Sequence, residues 1–394
     1  MPTLLQINVT ANWGSTGKIA ESIGLAAMKK GWESYIAYGR YSNPSKSKLI
    51  KIGNQFDVYA HFVEQTLFDD EGLASRSATK NLIKQIREIK PDIVQLHNIH
   101  DHYLNYKLLF EYLNTTEINV VWTFHDCWAF TGHCFHFVTN GCQRWKTQCY
   151  DCPLRYTTPR TLLEKSRRNY ELKKRLFSGC KHLTIVPCSF WMASFVQESF
   201  LNHHPCQVIH NGVDLTEFQP SALPRQSNCF KIIAVSNVWH QSKGLFDLYE
   251  LRKRLPSNFE ITIVGLTEAQ LKSLPSGIRG IQRTQQVQEL ATLYSEADML
   301  VNPTYADTFP TVNIEALACG TPIVTYKTGG SPEAVDEQTG LVVPQGDIDA
   351  LVLAIKKMSE QPLSRVDCRK RADRLFDKNK CFNQYIELYN RLLK

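Results

Sequence analysis

An alternation that runs the length of the chain and restarts once constrains its fold more than any other feature. Short runs, apolar nearly throughout and rich in Val, Ile and aromatic residues, recur at Leu4–Val9, Ser34–Tyr38, Ile93–Leu96, Val120–Phe124 and Leu183–Pro187. A strand covered on both faces reads this way, because neither face carries polar side chains. Between the runs lie stretches such as Gly17–Lys30 and Ala78–Ile89, with the apolar spacing of a helix that buries one face. Such alternation predicts a parallel sheet wrapped by helices on both sides. The pattern begins again at Lys231–Val235, Glu260–Val264, Met299–Asn302, Pro322–Tyr326 and Leu341–Val343. Helical stretches at Leu245–Leu255, Gln286–Ser295, Val312–Ala318 and Asp347–Met358 separate these runs, and Cys368–Lys394 reads as a helical tail. The predicted fold class is therefore α/β, with two tandem Rossmann-like doubly wound domains. The first spans residues 1–205 and the second starts at 206; the joint lies near Asn211–Cys229, where Gly212, Pro220 and Pro224 sit among polar residues. Ligands bind at the carboxyl ends of open parallel sheets, so two such domains facing each other predict a cleft lined by loops from both.

Composition narrows the class. With 394 residues, 43% hydrophobic and 21% charged, the chain has length for two cores and is neither collagen-like, low-complexity nor disordered. Residues 1–205 hold 24 basic and 17 acidic side chains, and residues 206–394 hold 21 of each, so the whole net charge of +7 lies in the first half. That asymmetry predicts a negatively charged surface or acceptor for the first domain and a small ligand for the second. No run reaches the ~18 apolar residues of a spanning helix. The start, MPTLLQINVTANWG, lacks a basic n-region and enters a strand directly, so no signal peptide is expected. Twelve cysteines without a leader then predict reduced thiols and a cytoplasmic protein.

The densest motif is Tyr305–Gly320, YADTFPTVNIEALACG. Asp307 follows a predicted strand, and Glu315 lies eight residues on, inside a helix that Thr311 opens. A helix start offers unpaired N–H groups to an anion, and two carboxylates can accept hydrogen bonds from sugar or ribose hydroxyls. A capping residue and an exposed helical Glu would read the same; the position after a strand, with a second loop downstream, favours a site. That loop is Thr328–Glu333, where Gly329 and Gly330 allow a phosphate close to the backbone. A third loop, Val235–Gly244, also follows a strand and carries Asn237 and Lys243, a cation for a diphosphate or simply a solvated lysine.

These motifs resemble the retaining glycosyltransferases of family 4, GT-B enzymes that use nucleotide-sugar donors. The family's Glu-x7-Glu signature is matched by Asp307 and Glu315, and its arginine–lysine diphosphate grip by Asn237 and Lys243. Two departures result: Asp for Glu shortens the reach by one methylene, and Asn for Arg removes a cation. The first half follows the family pattern too. Gly14–Ser15–Thr16–Gly17 resembles its amino-terminal glycine loop, Asp92–His100 its histidine-bearing strand end, and Val121–Asp126 the strand end whose histidine contacts the donor sugar. Ser189 matches a small polar loop residue, and Asn211–Asp214 an interdomain turn. The resemblance implies His125, Asp126 and Asp307 as catalytic residues. It implies donor binding by Gly14, Gly17, Asn237, Lys243, Thr308, Phe309, Pro310, Thr311, Glu315, Gly329 and Gly330. Glu315 would grip the ribose, Asp307 the donor hexose, and Lys243 with the backbone of Gly329–Gly330 the departing diphosphate. It further implies a terminal helix, residues 376–394, returning to the first domain. Hexose transfer from a UDP-, GDP- or ADP-sugar to a saccharide or lipid-linked acceptor, in surface polysaccharide biosynthesis, is the activity implied, with retention and without a cofactor for catalysis. A GT-B nucleotide-sugar epimerase and a non-catalytic sugar-nucleotide binder remain open alternatives.

Two features stand outside those motifs. Cys134, Cys142, Cys149 and Cys152 crowd an insertion near residues 127–153, ending in Cys-x2-Cys, and fit a structural zinc site; free thiols or disulfides are the alternatives. Lys165–Arg175 holds six basic residues and one acid, which reads as a solvated helix face or as a peripheral contact with anionic lipid at the cytoplasmic membrane face. No nucleic acid partner is expected, because no recognised binding module is present.

Overall fold

Each apolar run becomes a parallel strand because helices cover both of its faces. In the computed structural model, which describes residues 1–157, 159–221 and 229–394, twelve strands form two sheets of six. The first sheet contains β1 (Thr3–Asn8), β2 (Glu33–Tyr38), β3 (Lys48–Lys51), β4 (Ile93–Leu96), β5 (Asn119–Phe124) and β6 (Leu183–Pro187), in the order β3-β2-β1-β4-β5-β6. The second contains β7 (Phe230–Val235), β8 (Phe259–Val264), β9 (Ile278–Ile281), β10 (Met299–Asn302), β11 (Ile323–Tyr326) and β12 (Gly340–Val343), in the order β12-β11-β10-β7-β8-β9. All pairings are parallel. Counted from its own first strand, each sheet has the same 3-2-1-4-5-6 order, with its switch point between the first and fourth strands.

Strands β1, β4, β6, β10 and β11 are buried along their whole length. Two strands were not foreseen, β3 and β9, and both are edges. Lys48–Lys51 is largely exposed, and Ile278–Ile281 contains Arg279 and Gly280. An edge strand has one open side and needs no continuous apolar run. Of the expected joint Asn211–Cys229, residues 222–228, Pro224 among them, lie outside the described residues.

The chain divides into two units: Met1–Ile209 with Phe382–Lys394, and His210–Cys381. The last helix, Lys378–Leu392, therefore ends in the first unit. There Phe382, Tyr385, Ile386, Leu388 and Tyr389 pack with Leu4, Ile23, Trp32, Ile93, Val121 and Val186. Polar groups beneath this helix are satisfied in sequence. Tyr389 Oη donates to Gln95 Oε1, Gln95 Nε2 donates to Thr123 Oγ1 at 2.9 Å, and Thr123 Oγ1 donates to Tyr385 Oη at 3.2 Å. The tail thus covers one face of the first sheet. Phe382→Ala is expected to destabilise that unit by about 3–5 kcal/mol, the cost of truncating a buried phenylalanine, read as a lower urea midpoint in the transition of that unit.

Candidate functional site

In the second unit the switch point lies between β7 and β10, and the loops that follow these strands meet. Gly244 makes the approach possible: its φ is +76°, and a Cβ there would come within 2.1 Å of the Pro303 carbonyl oxygen. Lys243 Nζ donates to Asp307 Oδ2 at 2.6 Å and to the Ala306 carbonyl at 3.4 Å. Both side chains are about a quarter exposed, 27% and 23%, so the pair stays reachable by a ligand and contributes little to stability. The Gly-Gly loop after β11 packs against the same residue. Gly329 has φ +54°, and an added Cβ would lie 1.7 Å from the Asp307 carbonyl oxygen. That oxygen accepts the Gly330 N–H at 3.2 Å. The Gly330 N–H thus ties its loop to the Asp307 backbone.

Thr308 and Phe309 are buried, with the Phe309 ring 4.7 Å from His210 and 5.8 Å from Phe376. Pro310, in extended conformation, precedes the helix Thr311–Ala318. Inside this helix Asn313 Oδ1 accepts from Asn302 Nδ2 at 2.8 Å, tying the helix to β10. Glu315 is half-buried and accepts from Tyr294 Oη at 3.0 Å. His210 Nε2 lies 2.8 Å from Glu333 Oε2. Asn237 is exposed in the loop after β7, and His240 Nδ1 lies 2.8 Å from Ser242 Oγ in that loop. The structure thus gathers Lys243, Asp307, Gly329 and Gly330, and sets Glu315 inside the adjoining helix.

In the first unit the corresponding strands are β1 and β4, joined at their ends by the Asn98 N–H donating to Asn8 Oδ1 at 3.3 Å. Gly14 opens the helix Gly14–Lys29 with φ +64°. Gly17 sits so close to the loop that a Cβ would meet Thr10 Oγ1 at 2.6 Å. His125 ends a directional chain. The Ala20 carbonyl can only accept, so Gln6 Nε2 donates to it at 2.8 Å and Gln6 Oε1 faces His97 Nε2 at 3.0 Å. His97 Nε2 must then carry the proton, and its bare Nδ1 accepts from His125 Nε2 at 3.1 Å. His125 is left with Nδ1 unprotonated. Burial lowers both imidazoles, His125 to about 4 and His97 well below its ordinary value, so both are neutral at pH 7.

Asp126 turns the other way. Its Oδ2 lies 2.8 Å from His100 Nε2, and its Oδ1 accepts the Trp128 N–H at 2.9 Å. Burial alone would raise this carboxyl, but the His100 charge and hydrogen bond outweigh burial and hold it at about 2. His102 is raised to about 9, because Asp101 and Glu71 overcome the opposing effect of its burial. Asp101 and His102 both have positive φ, +81° and +70°, local strain of the kind that gathers at functional sites. Sequence reasoning singled out the histidine-bearing end of β4 without assigning roles to His97 and His100. It missed His102 beside them, although His-x2-His-x-His at a strand end was a usable signal. It also missed Gln6, Glu71, Tyr294 and His210; a lone Glu71 in a polar loop carries no local signal.

Cys134, Cys142, Cys149 and Cys152 all line one small cavity, and all four thiols are free. Among the described residues, no three His, Cys, Asp or Glu side chains stand close enough to hold a metal ion as they lie. The basic stretch does not form one docking face. Lys165 and Arg168 pair with Asp70, Arg167 pairs with Glu171, and Lys173 is buried. No described helix is long and apolar enough to cross a membrane. A cavity of about 630 Å³ lies at the amino ends of β7 and β8, away from Lys243 and Asp307.

Comparison with known proteins agrees with this architecture. Residues 18–217 match the sequence model of Glycosyltransferase Family 4, and residues 229–361 match that of Glycosyl transferases group 1. The putative colanic acid biosynthesis glycosyl transferase WcaC of Escherichia coli K12 is 23% identical over 416 aligned positions, covering 99% of this chain and 100% of that protein. Among solved structures, sucrose-phosphate synthase from Thermosynechococcus elongatus superposes with a TM-score of 0.73 at 16% identity, covering 100% of this chain and 99% of that one. Anabaena HepE in complex with UDP-glucose superposes with a TM-score of 0.64 at 15% identity, covering 99% of each chain. At these identities the superpositions speak for the fold. The family model, which spans more than half of the residues, speaks for descent, and the chain belongs to glycosyltransferase family 4.

Proposed function

We propose that this glycosyltransferase moves a hexose from a nucleotide sugar to a saccharide or lipid-linked acceptor, with retention, in the assembly of a surface polysaccharide. The observation that carries the reading is the Lys243–Asp307 pair at the switch point of the second sheet, clamped from behind by Gly329 and Gly330. A diphosphate arriving there finds an ammonium already aimed, and as the bond to the sugar breaks, charge grows on the leaving oxygen. A preorganised donor at such a point contributes about 3 kcal/mol. Asp307, freed in part from Lys243, then accepts from hexose hydroxyls, and Glu315 from the ribose. His125, neutral at pH 7, takes part as an uncharged hydrogen-bonding imidazole. The relationship to a protein named for colanic acid biosynthesis supports the polysaccharide setting.

Incubation with UDP-, GDP- and ADP-sugars and an acceptor extract, followed by nucleotide release and product mass, is expected to give release coupled to a heavier acceptor. Lys243→Ala should lower kcat about 100-fold. Asp307→Asn should cut turnover, and Glu315→Gln should weaken donor binding. Donor conversion without an acceptor would instead identify an epimerase, and binding without release a sugar-nucleotide binder.

The state of His125 gives a pH signature. An imidazole held near 4 is neutral throughout the working range, so it loses its acceptor lone pair only as pH falls through about 4. The profile of kcat/KM is expected to show no acidic limb near 6.5 due to this residue. A limb there that disappears in His125→Gln would exclude this role.

For a lipid-linked acceptor the membrane contact is better assigned to the helix Gln55–Phe68 than to Lys165–Arg175. This helix is turned inside out: it buries His61 and Gln65 and exposes Phe56, Tyr59, Phe62, Val63, Leu67 and Phe68. Leu162 and Leu163, also exposed, hydrogen-bond to the backbone of Thr66 and Leu67. Lys165 Nζ lies 5.3 Å over the Phe68 ring, so cationic and apolar groups adjoin as an anionic interface requires. Burying one phenylalanine contributes about 1.5–3 kcal/mol. Phe56→Ser with Phe62→Ser is expected to reduce sedimentation with phosphatidylglycerol vesicles at least tenfold, and unchanged sedimentation would reject the surface.

A further inference from the structure

The segment after β5, which contributes no strand, converges on a cavity of about 20 Å³ whose walls include Cys134, Cys142, Cys149, Cys152 and His133. That is room for a single water-sized occupant. The thiols are already neighbours: Cys134 and Cys152 hydrogen-bond to each other, and Cys149 interacts with both Cys142 and Cys152. The Gly132 N–H donates to Cys149 Sγ at 3.2 Å, the kind of support that a sulfur gains from when it carries negative charge. Substitution of Gly132 is sterically closed, since a Cβ would lie 2.1 Å from the Ser166 carbonyl oxygen.

Two buried basic side chains stand at the same cavity: His133 is part of its wall, and Lys173 donates to the carbonyl of Thr131, another wall residue. Lys173 is 1% exposed. Its ammonium donates only to the Trp128 and Thr131 carbonyls, at 2.7 and 3.0 Å, and lies 3.4 Å over the Trp128 ring. No carboxylate among the described residues pairs with it. A buried ammonium without a counter-charge is costly. His133 is 3% exposed. Its Nδ1 lies 2.5 Å from Asp69 Oδ1, and its Nε2 is buried without a hydrogen-bond partner.

We propose that Cys134, Cys142, Cys149 and Cys152, which wall one cavity, bind one zinc ion as a tetrathiolate. Binding displaces four thiol protons to water and leaves the metal with its four sulfurs at a net charge of −2. Lys173 and His133 are both already buried beside these sulfurs. As they lie, the sulfurs ring the cavity without three of them closing on a common point. Ligation therefore draws the turns around Cys142 and Cys149 inward. Four thiolates leave no open position, so the ion is structural.

The test is metal analysis of the full chain purified from zinc-supplemented cells without chelator. About one zinc per chain is expected, and Cys149→Ser or Cys152→Ser should lose most of it. Less than about half an equivalent in the unaltered chain, or full retention in both variants, would overturn the proposal. Should the variants fail to fold, cobalt exchanged into the unaltered chain decides. A tetrahedral sulfur site gives intense visible bands and a sulfur-to-metal charge-transfer band, and their absence overturns the site. Neither readout involves sugar transfer, so the outcome is separate from that of the proposed activity.

Discussion

The connections leaving neighbouring strands at a switch point depart to opposite faces of the sheet, and both ligand ends depend on that divergence. It happens between β1 and β4 and again between β7 and β10, and it leaves strand ends that no crossover covers. The loops there must still be held, and small residues let them come into contact. Gly17 against Thr10, Gly244 against Pro303 and Gly329 against Asp307 are approaches that any side chain would block. Function here rests on backbone proximity first, with the charged side chains carried into place by it.

The two units handle charge differently. In the second, Lys243 and Asp307 are part-exposed and can exchange each other for a ligand at small cost. In the first, Glu71 and His100 are buried and pair with the largely buried His102 and Asp126, where breaking a pair is expensive and the geometry is correspondingly rigid. This makes the first unit sensitive to pH. Asp126, depressed to about 2 from 3.8, contributes stability that is lost as pH falls between those values. His102, raised from 6.5 to about 9, contributes stability that is whole below 6.5 and lost as pH rises to about 9. Both contributions are intact only between 3.8 and 6.5.

Most of the fold was legible because a strand covered on both faces must be apolar at every position. Ile93–Leu96, Leu183–Pro187 and Met299–Asn302 were read residue for residue, whereas β3 and β9 escaped because an edge is free of that requirement. Asp307 and Lys243 were legible from their place after strands. The hydrogen bond of Gly330 to the Asp307 carbonyl was not, since contact between two loops leaves no mark in one dimension. Lys173 was misread for a similar reason. It sits in a run of cations that resembles a solvated face, and only the packing of its helix turns it inward while Arg167, Lys174 and Arg175 stay out.

That inward lysine bears on how the segment after β5 is ordered at all. From Trp128 to Lys146 it forms only short 3-10 turns, so no sheet satisfies its backbone. Aromatic packing supplies the core, with Phe130, Phe137, Trp145 and Phe195 linked at ring distances of 4.9–6.3 Å. Packing is indifferent to stranded carbonyls, however, and each one buried without a donor is a penalty. Lys173 provides donors to two of them, Trp128 and Thr131, and lays its charge over the Trp128 ring. One ammonium from a neighbouring helix thus does for this loop what a paired strand does elsewhere in the sheet. The histidine-bearing ends of β4 and β5 rest against the result, with His100 packed on Trp128 at 5.3 Å and on Phe135 at 4.5 Å.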